Sequence, residues 1–297
     1  MYPAPFHYHR ANSLDEAIRL LADIGEGARV LAGGQSLLPL LKLRFDEPTD
    51  LVDIGRIPDM DRIDLGGEEI TIGSLATHSR IGRSALADSI PILGDCVNGI
   101  ADNQVLSRGT IGGSVSSGDP NCDWPVLLHT LDASIEVQGP SGTRTLDING
   151  FVEDLYQTAL RPGEIVTRIR LPRPVAGSVG AYCGFKRCAP AYPTVSISVQ
   201  LTMQDDQVVS ARIAAGSVGF VPARLHEVEA QLEGQAIDSG RIRQAAEAAA
   251  SSVDPVEDQR GSAGFKRRVT AAMTEKAIGI ALRRADGEKV TNKHEYY

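Results

Sequence analysis

The chain has 297 residues, 42% of them hydrophobic and 23% charged, which suits one large domain or two modest ones and excludes wholesale disorder. Acidic residues outnumber basic ones 38 to 30, a net charge of -8, so there is no general field for nucleic acid. Apolar runs such as LLPLL at 37–41 are far shorter than the roughly 20 residues of a transmembrane segment, and the start MYPAPFHYHR has no apolar signal stretch, so the expected location is cytoplasmic.

Ser13 and Glu16 have capping-box spacing, and Leu14, Ala17, Ile18 and Leu21 follow at i, i+3, i+4, i+7, which predicts a first helix. Residues 29–32 predict a strand that runs into Gly33-Gly34 and then into an apolar helical stretch holding Pro39. Residues 50–54 predict another strand. A second region begins at 69–72, with strands and short helices between glycine-rich turns, and ends at Pro172-Arg173-Pro174, which is taken as a boundary. Beyond it come three β-like runs, 181–187, 194–203 and 208–215, and then helical stretches at 222–232, 239–251 and 263–284. Strands followed by helices predict an α+β class with helices packed on one face of an antiparallel sheet. The stretch 285–297 is polar and is expected to be mobile.

Two turns carry the chemistry. In AGGQSLLPLLKLR, residues 32–44, two glycines, an amide and a hydroxyl stand between a strand and a helix. Such a turn exposes several backbone N–H groups and lets a ligand approach closely, which suits phosphate oxygens; without a ligand it is a tight strand-to-helix turn. TIGGSVSSGDPNCDWP, residues 110–125, repeats the arrangement with Gly112-Gly113 and Ser114, Ser116 and Ser117, and is either a long plain loop or a binding loop. Neither 31–41 nor 109–129 holds a lysine or arginine, so a diphosphate here is held by amide and hydroxyl dipoles. Competing motifs are missing: the sequence has no G-x-G-x-x-G, G-K pair, H-E-x-x-H or G-x-S-x-G. The six histidines form no metal set and are expected to be surface or structural. Cys96, Cys122, Cys183 and Cys188 have neither disulfide-framework numbers nor cluster spacing.

At these turns the sequence resembles the FAD-binding medium subunit of the molybdenum hydroxylases, of the carbon monoxide dehydrogenase and xanthine dehydrogenase type. The likeness continues through EIVTRIRLP (164–172), GFKRCAPAYPTVSISV (184–199) and GSVGFVPARLHEVEAQLEG (216–234). The resemblance implies a two-part FAD domain of the vanillyl-alcohol oxidase (PCMH) type over residues 1–176, with parts at about 1–58 and 59–176. A C-terminal domain of three-stranded antiparallel sheet and helical bundle follows over 177–286, then a polar tail at 287–297.

It also implies an oxidoreductase in which a large subunit holds molybdopterin, a small subunit holds two 2Fe-2S clusters, and this subunit's FAD collects the electrons for an external acceptor. The assembly it implies is a dimer of heterotrimers. Ala32, Gly33, Gly34, Gln35, Ser36 and Leu37 are expected to line the FAD diphosphate, with Thr110, Gly112, Gly113 and Ser114 opposite. Asp123 matches a carboxylate that reaches the flavin; on residue type alone it reads as a helix N-cap. Lys186 matches a lysine by the flavin ring that would tune its potential, against a solvent-facing strand lysine. Tyr192 matches a tyrosine covering one ring face, against an ordinary core aromatic. Ser114 stands where many relatives have Asn, and Gln35 where some have His. No side chain is expected to act as nucleophile or general base, and no metal is expected on this chain. A self-contained FAD-dependent oxidoreductase acting on a small molecule and a structural subunit without flavin are the alternatives.

Overall fold

The computed structural model describes residues 2–292 and 294–296. Its first unit is a small parallel sheet. The Ser13 side chain accepts Glu16 N–H at 3.2 Å and Glu16 Oε2 accepts Asn12 N–H at 2.8 Å, a reciprocal cap that starts the first helix. In chain order the elements are β1 (His7–Arg10), α1 (Leu14–Ile24), β2 (Ala28–Leu31), α2 (Leu37–Leu43) and β3 (Asp50–Asp53). The strands pair in the order β1-β3-β2, all parallel, and parallel neighbours require crossovers such as α1 and α2. Ala17, Ile18 and Leu21 of α1 pack on Val52 and Ile54.

The second unit begins with β4 (Ile63–Asp64) and β5 (Glu69–Gly73) and continues through six short helices: α3 (His78–Gly82), α4 (Ala85–Ser89), α5 (Pro91–Gly99), α6 (Asn103–Arg108), α7 (Ile111–Ser116) and α8 (Asp123–Thr130). After these come β6 (Ser134–Gly139), β7 (Gly142–Asp147), the hairpin β8 (Val152–Asp154) and β9 (Gln157–Thr158), and β10 (Ile165–Pro172). The antiparallel order β4-β5-β10-β6-β7 buries Ile72, Ile135 and Ile169 against Ile81, Leu93 and Trp124 of the helices.

The last unit is a meander of β11 (Ser178–Lys186), β12 (Val195–Gln204) and β13 (Gln207–Gly216), each a few residues from its predicted limits. Along β12, Val195, Ile197, Val199 and Leu201 face the helical side, and the alternate Ser196, Ser198, Gln200 and Thr202 are buried too. The polar face is covered by the preceding unit, where Thr130 Oγ1 and Ser198 Oγ lie 2.6 Å apart. β14 (Ala223–Arg224) pairs with β13, which delays the helix predicted from 222, so that α9 (His226–Leu232) begins four residues later. β15 (Gln235–Ala236), α10 (Ser239–Ser252) and α11 (Ala263–Ala285) follow. The chain is thus α+β, but the expectation of helices on one face only is corrected: α10 and α11 lie on one side of the last sheet, and α5 and α8 of the preceding unit cover the other.

The tail corrects the expectation of mobility. Asn292 and His294 are buried, and β16 (Glu295–Tyr296) pairs in parallel with Phe185 and Lys186 at the edge of β11. Polar residues form structure here because their donors find buried backbone acceptors. Of the same tail, Lys293 and Tyr297 lie outside the described residues.

Candidate functional site

The two glycine turns meet backbone to backbone. The first leaves β2 and enters α2, with Gly34 at φ +75°, a left-handed conformation open to glycine without steric cost. A Cβ on Gly33 would lie 2.1 Å from Arg108 O and 3.0 Å from Gly109 Cα, so glycine is required where this turn packs on the chain entering the second. The N–H groups of Gly33, Gly34, Gln35, Ser36 and Leu37 find no acceptor among the described residues, and the Gln35 side chain folds back to donate to Gly33 O at 3.2 Å. Half-buried donors left unpaired in succession among the described residues make an array of partial positive charge, which suits phosphate oxygens.

The second turn is built differently. Residues 110–125 are no plain loop: the Thr110 side chain caps α7 by accepting Gly113 N–H at 3.1 Å, and α8 starts at Asp123. Ile111 N–H donates to Ala76 O at 3.0 Å and Gly112 N–H to Ser74 O at 2.9 Å, so these amides are spent on the fold. Gly112 is glycine because its Cβ would lie 2.4 Å from Ser74 Cβ. Gly113 is exposed, and its Cβ would meet Thr110 Oγ1 at 2.9 Å and Ala32 Cβ at 4.0 Å, in the space between the turns. Ser114 lies one residue on, its carbonyl accepting from Ser117 Oγ at 2.7 Å.

Tyr192 ties the two turns together. It is 38% exposed, so it is no core aromatic, and its hydroxyl lies 4.0 Å from Cys122 Sγ and also interacts with Ser36. Burial pushes the Cys122 thiol up to about 11, which keeps it protonated. Cys122 occupies the cap position of α8 without a side-chain cap bond, and Asp123 is the first helical residue, so Asp123 is not the N-cap. Instead its buried carboxylate accepts from Tyr182 OH at 2.8 Å.

Lys186 is 1% exposed, which excludes a solvent-facing role. Its Nζ donates to Gly99 O, and to Ala189 O at 3.1 Å. Burial pushes the Asp123 carboxyl up and the Lys186 ammonium down, and each charge opposes the shift of the other. Tyr182 was legible in principle, since it stands four residues before Lys186 on one strand and therefore on the same face. Cys122 and His294, by contrast, carry no local signal.

His78 supports the second turn from behind. Its Nδ1 accepts from Trp124 Nε1 at 2.9 Å, and its backbone N–H donates to Gly109 O at 3.1 Å. Burial lowers its pKa from 6.5 to about 4. The folded pKa lies below the unfolded one, so the unfolded chain binds more protons between the two values. The stabilisation is therefore complete above about pH 6.5 and is lost, by about 3 kcal/mol, as pH falls toward about 4. His78→Gln is expected to flatten the fall in unfolding free energy below about pH 6.5, measured by urea titration at successive pH values; equal slopes in the two chains would rule out His78 as its source.

Residues 4–174 match the model of the FAD binding domain in molybdopterin dehydrogenase, and residues 180–281 that of the CO dehydrogenase flavoprotein C-terminal domain. The chain is 37% identical to the carbon monoxide dehydrogenase medium chain of Afipia carboxidovorans, over 96% of this chain and 99% of that one. It is 34% identical to subunit alpha of the 6-hydroxypseudooxynicotine dehydrogenase complex of Paenarthrobacter nicotinovorans, over 99% and 100% of the two. A chain of the carbon monoxide dehydrogenase of Hydrogenophaga pseudoflava superposes with a TM-score of 0.93 at 36% identity, covering 96% of this chain and 99% of that one.

The chain belongs to the FAD-binding medium subunits of the molybdenum hydroxylases, of the carbon monoxide dehydrogenase and xanthine dehydrogenase type. It is the flavoprotein subunit of an oxidoreductase, and FAD is its cofactor. The residues present fit FAD: unpaired amides suit a diphosphate without cationic side chains, and a buried carboxylate and a buried ammonium stand beyond them. Among the described residues no helix is long and apolar enough to cross a membrane.

Proposed function

We propose that this chain is the electron-transfer subunit of a heteromeric molybdopterin, iron-sulfur and flavin dehydrogenase. It takes electrons from two 2Fe-2S clusters of a small partner subunit and passes them to an external acceptor, while a large partner subunit holds molybdopterin. Assembly is as a dimer of heterotrimers in the cytoplasm. The observation that carries the FAD assignment is the row of unpaired N–H groups from Gly33 to Leu37 beside the turn at Gly113. Support for the division of labour comes from relatives named as chains or subunits of dehydrogenase complexes, and from four cysteines that are all free.

Residues 1–176 form the FAD domain, in which the parts at about 1–58 and 59–176 contribute one turn each. Residues 177–286 contribute Lys186 and Tyr192, and 287–297 form the tail. Ala32 to Leu37 hold the diphosphate from one side, and Thr110, Gly112, Gly113 and Ser114 border it from the other. Asp123 orients the flavin end, and Tyr192 closes over it. The bound flavin supplies the redox chemistry, so the chain's own residues bind, orient and set the local charge.

Purification from the native host with flavin, molybdenum, iron and subunit analysis is expected to yield one FAD per chain and two partners. A chain that carries no flavin and cannot be reconstituted with FAD would overturn the assignment. Lys186→Met is expected to lower the reduction potential of the bound flavin, because a neutral side chain no longer favours the added negative charge. A spectroelectrochemical titration giving the wild-type potential would remove Lys186 from the flavin's surroundings.

A further inference from the structure

We propose that Asn292, His294 and β16 form a C-terminal strap that locks the two domains together at the Lys186 side of the flavin site, with His294 as its positioning residue; this rests on FAD binding where proposed above. The strap is bonded to both halves of the chain. On the C-terminal sheet, β16 continues the edge of β11 in parallel at Phe185 and Lys186, and Asn292 Nδ2 donates to Tyr182 O and approaches Cys183 Sγ at 3.4 Å. On the FAD domain, His294 Nε2 lies 2.9 Å from Asp95 O in α5, and since a carbonyl only accepts, Nε2 carries the proton.

The imidazole fills a slot that only glycines leave open. A Cβ on Gly99 would fall 2.0 Å from His294 Cε1, and one on Gly184 would fall 2.6 Å from Nδ1. Lys186 Nζ donates to the carbonyl of the same Gly99, so the histidine and the lysine hold the end of α5 from two sides. The ring also lies 6.0 Å from that of Tyr182, whose hydroxyl holds Asp123. A histidine that only filled space would need neither its hydrogen bond across the domains nor burial to 7% exposure with Nδ1 unpartnered among the described residues. Moving the strap therefore frees Gly99, whose carbonyl holds Lys186, and uncovers the Tyr182 ring, whose hydroxyl holds Asp123.

The test uses the full chain loaded with FAD. Loading of the wild-type chain is the control, and its failure would count against the FAD assignment rather than the strap. His294→Ala and a chain ending at Thr291 are expected to bind FAD at least about tenfold more weakly and to shift the visible spectrum and reduction potential of the flavin they retain. His294→Gln, which restores a donor toward Asp95 O, is expected to recover most of the affinity and the wild-type spectrum. Carboxypeptidase trimming of the folded, loaded wild-type chain avoids any defect in folding, and flavin release is expected to follow loss of residues 292–297. A trimmed chain that keeps its FAD with unchanged spectrum and potential would overturn the proposal, as would equal affinities for His294→Ala and wild type.

Discussion

Gly33→Val is expected to yield a chain that retains no FAD. Its first side-chain carbon would stand 2.1 Å from Arg108 O and 2.9 Å from Arg108 C, and both are backbone atoms that cannot rotate away. The two turns have to part, which dismantles the binding surface and lowers stability by the 1–3 kcal/mol typical of overpacking, or more. Gly112→Val meets the same obstacle at Ser74, 2.4 Å from its Cβ.

Neither variant separates lost binding from lost packing, but Gly113→Val does. Its Cβ would displace only the Thr110 hydroxyl, at 2.9 Å, and would enter the exposed space between the turns. Loss of FAD is therefore expected with a stability change of no more than about 1–2 kcal/mol, the range for weakening one helix cap. Flavin absorbance per chain after gel filtration, paired with urea unfolding, checks both quantities. Wild-type flavin content in Gly113→Val would remove this space from the cofactor site.

The second large effect is on stability. Arg284, at the end of α11, forks onto Asp95 of α5 with N–O distances of 2.7 and 2.8 Å, and the two side chains are only 8% and 4% exposed. The guanidinium also donates to Gly180 O and Val290 O, so it joins the FAD domain, the sheet and the start of the tail. Arg284→Ala leaves the Asp95 carboxylate buried without its cation and is expected to cost about 3–5 kcal/mol of unfolding free energy. Arg284→Lys keeps the charge but loses the planar fork and is expected to fall between wild type and alanine. Adding Asp95→Asn to Arg284→Ala is expected to recover part of the loss, because no isolated charge then remains inside. An Arg284→Ala chain within 1 kcal/mol of wild type, roughly the worth of a surface pair, would show that the pair contributes no more than an exposed one.

Both arguments join residues far apart in the chain, and this marks the limit of what patterning reveals. Leu14, Ala17, Ile18 and Leu21 announced α1, with Ser13 and Glu16 at its start, because a cap and an apolar stripe are local properties. The β-like run at 194–203 announced β12 in the same way. It did not say what would cover Ser196 and Ser198, which a solvent-exposed sheet face would have suited equally well. The glycine pairs marked the two turns, yet the short helix α7 escaped notice because Gly112 and Gly113 are poor helix formers. Its contacts with Ser74, Ala76 and the Thr110 cap override that propensity.

The residue types alone were sufficient for the α+β order of elements and the place of both glycine turns. Each is encoded in spacing over a few residues, where period and turn chemistry are set by the backbone itself. Only the folded chain decided that Asp123 answers to Tyr182 and Lys186, that the amides of the first turn find no acceptor among the described residues while those of Ile111 and Gly112 are spent, and that a polar tail returns to cover Gly99. Those outcomes depend on which groups meet after the sheets pack: periodicity states that a face is buried, whereas hydrogen-bond partners and charge states follow from what it is buried against.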